Sequence, residues 1–240
     1  MSYPPIDNAL VACCHRNLVT AQWIVLVAAL LACADGSSIV LAQRIAPGQS
    51  LLESLQRESE AGRQAYVTGK YDLAVRHMSV ATSIARDLRG RQHSDYLNCL
   101  SNLAMAYSAQ GNDVRAQRIL QDMALLTRQR HGEESLPYAL AANNLGGVCQ
   151  ALGDAQQAEA SLTKAWEIRQ HALGHEHEDT LTSLNNLASL NLASGKPAIA
   201  RRQFAEIVST RRKTVGTGHP RYAISLNNLA AVREALQQYD

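Results

Sequence analysis

The chain has 240 residues, of which 46% are apolar and 18% charged, and its formal net charge at pH 7 is +2. This length and composition allow a sizeable core and exclude a disordered polymer. The near balance of 23 basic and 21 acidic residues, with 5% aromatic residues, argues against binding to nucleic acid. Five scattered cysteines without a CxxC motif indicate neither a disulfide framework nor a zinc site.

The first predicted element is an apolar run at residues 18–34, LVTAQWIVLVAALLACA, which has the layout of a secretory signal. Basic residues precede it, and an AxA cleavage site at Ala32 and Ala34 lies at its end. We therefore expect residues 1–34 to be a signal peptide or membrane anchor. The protein is then exported, to the periplasm or envelope of a bacterium.

Two alternatives to a cleaved signal stay open. The strongly apolar part, residues 24–34, is shorter than the roughly 20 residues that cross a bilayer, which favours cleavage over an anchor. The tetrapeptide LLAC at residues 30–33 is also similar to a bacterial lipobox, in which the cysteine is acylated after cleavage. Cys33 is therefore a candidate lipidation site, and membrane attachment through the N-terminus is the second alternative.

Residues 35–50 are expected to form a linker, and residues 51–240 a domain of repeats with a 42-residue period. Four columns of identical residues recur at this spacing: Asn102, Asn144, Asn186 and Asn228; Gly69, Gly111, Gly153 and Gly195; Ala74, Ala116, Ala158 and Ala200; and Gly90, Gly132, Gly174 and Gly216. Within each unit apolar residues recur every three or four positions. This spacing predicts two helices per repeat, called here the first and the second helix.

The glycine columns predict where the helices end, because glycine takes a left-handed backbone conformation without strain. The alanine column, five residues after the first turn glycine, predicts that the two helices cross closely. The predicted first helices are residues 51–67, 95–109, 137–151, 179–193 and 221–236. The predicted second helices are residues 71–88, 113–130, 155–172 and 197–213.

This combination of helix motif, turn glycine and alanine resembles the tetratricopeptide repeat. The segments ALGHEHEDTLTSLNNLA and TVGTGHPRYAISLNNLA are similar to the repeats of kinesin light chains and their bacterial relatives. The resemblance covers about residues 60–240. It implies an all-α, right-handed superhelix, an α-solenoid of about four antiparallel helix pairs plus a closing C-terminal helix. It also implies a non-catalytic scaffold that binds a partner protein or peptide on its concave face.

The paired amides in the first helices are the candidate binding residues. In this family the first helices line the concave face, where a row of amides can hydrogen-bond the backbone of an extended segment. The alternative is that one Asn of each pair bonds the neighbouring helix. We expect both roles, with the second Asn more structural and the first, replaced by Ser101 in one repeat, more exposed to ligand. The predicted groove residues are Asn102, Asn143, Asn144, Asn185, Asn186, Asn227 and Asn228.

The segment from His175 to Asp179 is the densest set of metal-ligand residue types, so a metal-binding loop is a remote alternative function. However, His177 is in register with His93 and His219, which favours a repeated loop feature. No nucleophile triad motif and no phosphate-binding glycine loop is present, so we expect neither enzyme activity nor a cofactor. The arginine column of Arg86, Arg128 and Arg212 favours a solvated outer face over a basic binding stripe.

The last predicted helix has no second helix after it in this sequence. Its polar residues favour a solvating cap. The alternative is a truncated array whose missing helix comes from another chain, which makes a homodimer through the terminal repeats the second candidate function.

Overall fold

The computed structural model describes the backbone of residues 37–239 and the side chains of residues 49–236. It divides into two compact units, residues 1–52 and 53–240. The described part of the first unit belongs to helix α1, Ser37–Val67. Residues 37–50, which the sequence assigns to a linker, are thus helical, because the run LAQRIA consists largely of strong helix formers.

The predicted signal segment and Cys33 lie outside the described residues. Among the helices that are described, none combines the length and apolar character needed to cross a membrane.

The second unit consists of the rest of α1 and eight further helices. They are α2 Tyr71–Arg89, α3 Ser94–Ala109, α4 Asp113–His131, α5 Leu136–Ala151, α6 Ala155–Leu173, α7 Glu178–Ala193, α8 Pro197–Thr214 and α9 Pro220–Tyr239. Apart from the start of α1, all begin and end close to the predicted residues. Residues 37–239 contain no β-strand.

The eight glycines of the two turn columns all have positive φ, between +71° and +88°. At Gly90, Gly132 and Gly174, which end second helices, ψ is 162–166°. This combination lies in a region that is open essentially to glycine alone and differs from the left-handed helical conformation. The predicted helix ends are confirmed. The backbone conformation of the second glycine column excludes other residue types more strictly than the expected left-handed helical conformation would.

From α2 to α9, consecutive helices pack on each other, and α5 also contacts the first helices on either side of it, α3 and α7. The predicted close crossing is visible in the alanine column, whose four members are 0% exposed. Four residues further on, the larger side chains of Met78, Leu120, Leu162 and Phe204 fill the core. The described repeats therefore form an all-α solenoid of antiparallel helix pairs, which confirms the predicted fold class.

Candidate binding face and the asparagine ladder

The paired asparagines lie on the first helices and form hydrogen bonds from one repeat to the next. In each bond the Nδ2 of a second Asn donates to the first-position residue of the preceding repeat, 43 residues earlier. The bonds are Asn144 to Ser101 Oγ (2.6 Å), Asn186 to Asn143 Oδ1 (3.1 Å) and Asn228 to Asn185 Oδ1 (2.7 Å). We call these six residues the asparagine ladder. Its bonds hold adjacent first helices at a fixed spacing.

Exposure within the pairs follows the prediction at one end of the array and departs from it in the middle. Asn227 is exposed and Asn228 half-buried, as expected. Asn143, however, is only 7% exposed, whereas Asn144 is half-buried. The reason is that Asn143 Oδ1 also accepts a bond from Ser183 Oγ (3.2 Å), so its amide is enclosed between α5 and α7. Asn143 is therefore a spacer residue.

Two buried arginines, which the sequence analysis missed, join second helices to the following first helices. Arg169 and Arg211 are each 6% exposed. Arg169 Nη1 donates to Ser183 Oγ (2.8 Å), and Arg211 Nη1 donates to Ser225 Oγ (2.9 Å). The sequence contains a signal for this contact. From repeat to repeat, the residue at the arginine position and the residue 14 positions later change identity together. The successive pairs are Ala85 with Cys99, Thr127 with Ala141, Arg169 with Ser183 and Arg211 with Ser225.

The two arginines differ in their electrostatic surroundings. Arg211 pairs with the carboxylate of Glu178. Arg169 forms no ion pair among the described residues, and its Nη1 donates to the backbone oxygen of Asp179 (3.1 Å). Burial lowers the pKa of the Arg169 guanidinium, and the nearby Asp179 charge opposes this shift. Through Ser183 and Asn143, Arg169 extends the asparagine ladder into one continuous polar network.

The histidine column caps the first helices. His177 Nδ1 accepts the backbone N–H of Asp179 (3.1 Å), and His93 and His219 accept from the residues two positions later in the same way. At the second position of this column, between His93 and His177, Ser135 caps α5 instead. No group of three or more His, Cys, Asp or Glu side chains in the described region could hold a metal. The geometry thus assigns His177 to the helix end and gives no support to a metal loop.

The described cysteines and the arginine column differ in their exposure to solvent. Cys99 and Cys149 are buried free thiols. Burial raises the pKa of Cys99 to about 11 and also raises the pKa of Cys149, so neither is an activated nucleophile. The predicted arginine column, Arg86, Arg128 and Arg212, is exposed.

Comparison with known proteins agrees with this geometry. Two models of the tetratricopeptide repeat match, one at residues 97–136 and one at residues 137–213. No curated protein sequence matches this chain.

Among solved structures, a Podosopora anserina protein described as a kinesin light chain with nearly identical TPR-like repeats is 25% identical, with a TM-score of 0.63. The match covers 77% of this chain and 87% of that one. A single-substitution variant of the same protein, at 24% identity, has a TM-score of 0.64. BtubC (BKLC) of P. vanneervenii shares the fold at 19% identity and a TM-score of 0.56, over 78% of this chain and 84% of its own. Residues 97–213 therefore consist of tetratricopeptide repeats, and the chain is similar in fold to repeat proteins of the kinesin light chain type.

Proposed function

We propose that this chain is a non-catalytic scaffold that binds a segment of a partner protein on the concave face formed by its first helices. The asparagine ladder carries this proposal. An amide has two N–H donors and a carbonyl oxygen with two lone pairs. The ladder uses one N–H of Asn186 and one of Asn228, both half-buried side chains, so hydrogen-bonding capacity remains at each rung.

The residue types on this face favour an extended, internal segment of the partner. Amides at regular spacing can pair with a peptide backbone whatever side chains it carries. The first helices from α3 to α9 contain no lysine, so they lack the ammonium groups suited to the carboxylate of a C-terminal tail.

The test compares two double variants in affinity capture from the native cell envelope. Asn102→Ala with Asn227→Ala removes exposed amides of the first helices and leaves every ladder bond intact. Gln121→Ala with Gln170→Ala removes two exposed amides from second helices and serves as the matched control. We expect partners recovered with the wild type to be lost with the first variant alone. Equal recovery with both variants would mean that the exposed amides of the first-helix face do not bind them.

A second candidate function is assembly through the terminal repeats, favoured by the exposure of Leu226 (40%) on α9. Light scattering of the purified chain tests it. A mass that rises from monomer to dimer with concentration supports assembly, whereas a monomer at all concentrations rejects it.

The proposed location is the periplasm or envelope, with residues 1–34 as the export signal. Mass spectrometry of the mature N-terminus distinguishes a cleaved signal from an acylated Cys33 and from a retained anchor. A full-length chain in the cytosolic fraction would reject export.

A further inference from the structure

An open groove lies beside the last two helices. It has a volume of about 540 Å³ and is lined by Arg201, Arg202 and Ala205 of α8 and by Leu229, Arg233 and Leu236 of α9. We call it the terminal slot. The repeat register shows which residues face a second helix in the inner repeats, and hence what the slot can hold.

In the inner repeats the corresponding position between α4 and α5 is filled by α6. A Cβ built at Gly146 of α5 would lie 2.6 Å from Leu162 Cγ of α6, so this column faces the second helix of its own repeat. Gln157 of α6 lies between the two flanking helices. Its Oε1 accepts from Gln117 Nε2 of α4 (3.1 Å) and from Cys149 Sγ of α5 (3.0 Å).

The terminal slot lies two periods, or 84 residues, further along the chain. There Arg201 takes the position of Gln117, Ala230 that of Gly146, and Arg233 that of Cys149. Ala230 is exposed, whereas Gly146 is buried. Similarly, Leu226 is 40% exposed, although its counterpart Ala142 is 4% exposed. The residues of α9 that correspond to the α6-facing side of α5 are therefore still small or apolar, but no described helix covers them.

The charge of the slot differs from that of its inner counterpart. The positions of the neutral Gln117 and Cys149 are taken by Arg201 and Arg233. Both arginines line the slot, and neither they nor Arg202 form an ion pair with any described residue. Residues 196–240 carry eight Lys or Arg and three Asp or Glu, so this part of the chain is strongly basic. Two copies joined through this slot would therefore oppose like charges.

We propose that the terminal slot binds an acidic amphipathic helix of a partner protein. The helix places apolar residues against Leu226, Leu229 and Ala230, and the residue against Ala230 stands in the register of Leu162, which faces Gly146 in the inner repeat. At the position equivalent to Gln157 it carries a carboxylate, which reaches both Arg201 and Arg233. This surface is separate from the asparagine ladder, and the proposal does not depend on binding to the first-helix face.

The chain supplies its own probe for this proposal. A fluorescent peptide with the sequence of α6, residues 155–173, carries the required apolar stripe of Ala158, Leu162, Ala165 and Ile168. Binding to the purified full chain is measured by anisotropy for the native peptide and for its Gln157→Glu and Gln157→Lys forms. We expect the Gln157→Glu peptide to bind about threefold to tenfold more tightly than the native one and the Gln157→Lys peptide to bind less tightly.

The variant Arg201→Gln with Arg233→Gln assigns the effect to the slot. It removes two exposed charges without touching the core, and we expect it to bind the three peptides equally. Arg86→Gln with Arg128→Gln removes two exposed charges from other second helices and should leave the preference unchanged. The proposal is overturned if no α6 peptide binds, if the preference survives in the slot variant, or if the chain forms a dimer that Arg233→Glu dissociates, since a second copy would then occupy the slot.

Discussion

At the scale of single residues, glycine has opposite consequences at Gly132 and Gly147. A Cβ at either residue would meet nothing within 4 Å. Gly132 has φ 88° and ψ 166°, which strains any other residue, whereas Gly147 lies inside α5. We expect Gly132→Ala to lower the free energy of unfolding by about 1–3 kcal/mol and Gly147→Ala to raise it by about 0.5–1 kcal/mol. Urea unfolding followed by circular dichroism measures both changes.

Gly146→Ala is the control for steric effects. Its added methyl group would lie 2.6 Å from Leu162 Cγ, so we expect a loss of about 1–3 kcal/mol from overpacking in spite of the better helix propensity of alanine. A neutral Gly132→Ala would show that the second turn of the repeat is not restricted to glycine.

At the scale of helices, the histidine caps predict a measurable contribution to the stability of the first helices. Replacing His219 by Ala removes the acceptor for the Arg221 N–H and should cost about 0.5–2 kcal/mol, whereas His219→Ser keeps an acceptor, as Ser135 does for α5. Urea unfolding of the wild type and both variants measures this difference.

His93 is the comparison for this prediction, because its Nδ1 accepts the Asp95 N–H in the same way (3.1 Å). We expect His93→Ala to lose stability and His93→Ser to retain most of it. If His219→Ala is as stable as His219→Ser, the side-chain cap does not contribute to the free energy of unfolding.

The contact between second and first helices predicts a coupled pair. Arg169→Thr leaves Ser183 without its donor, and Ser183→Ala leaves the buried Nη1 of Arg169 without one of its acceptors. The double variant recreates the pair that the chain already uses at Thr127 and Ala141. We expect each single variant to be less stable and the double variant to lose less than their sum, by about 0.5–3 kcal/mol. Urea unfolding of all four proteins gives this coupling energy, and strict additivity would contradict it.

At the scale of the whole molecule, the features that follow from the 42-residue repeat could be predicted from the sequence. The contacts between individual side chains could not. The 42-residue columns were sufficient for the bounds of α2 to α9 and for the turn glycines. They could not show that Asn186 donates backwards to Asn143, because direction depends on side-chain conformation. A buried Arg169 was missed for another reason: charged residues are rarely buried, and only its pairing with Ser183 indicates the contact.

The asparagine ladder predicts how the repeats unfold together. A solenoid owes its cooperativity to contacts between neighbouring repeats. Asn186→Ala removes a donor from the buried acceptor of Asn143, which should cost about 1–3 kcal/mol. Asn228→Ala leaves only the half-buried Asn185 without its donor and should cost about 0.5–1.5 kcal/mol. Thermal or urea unfolding ranks the two variants.

Because the Asn186 rung joins α5 to α7, its loss should also separate the array into two parts. Native-state hydrogen exchange measures this directly. In the wild type, amides of α5 and α7 should exchange with similar opening free energies, whereas in Asn186→Ala those of α7 to α9 should fall below those of α3 to α6. Asn102→Ala is the control, since this exposed residue of the same column makes no ladder bond in the described structure. Uniform loss of protection along all helices in Asn186→Ala would mean that the rung contributes stability without linking the repeats.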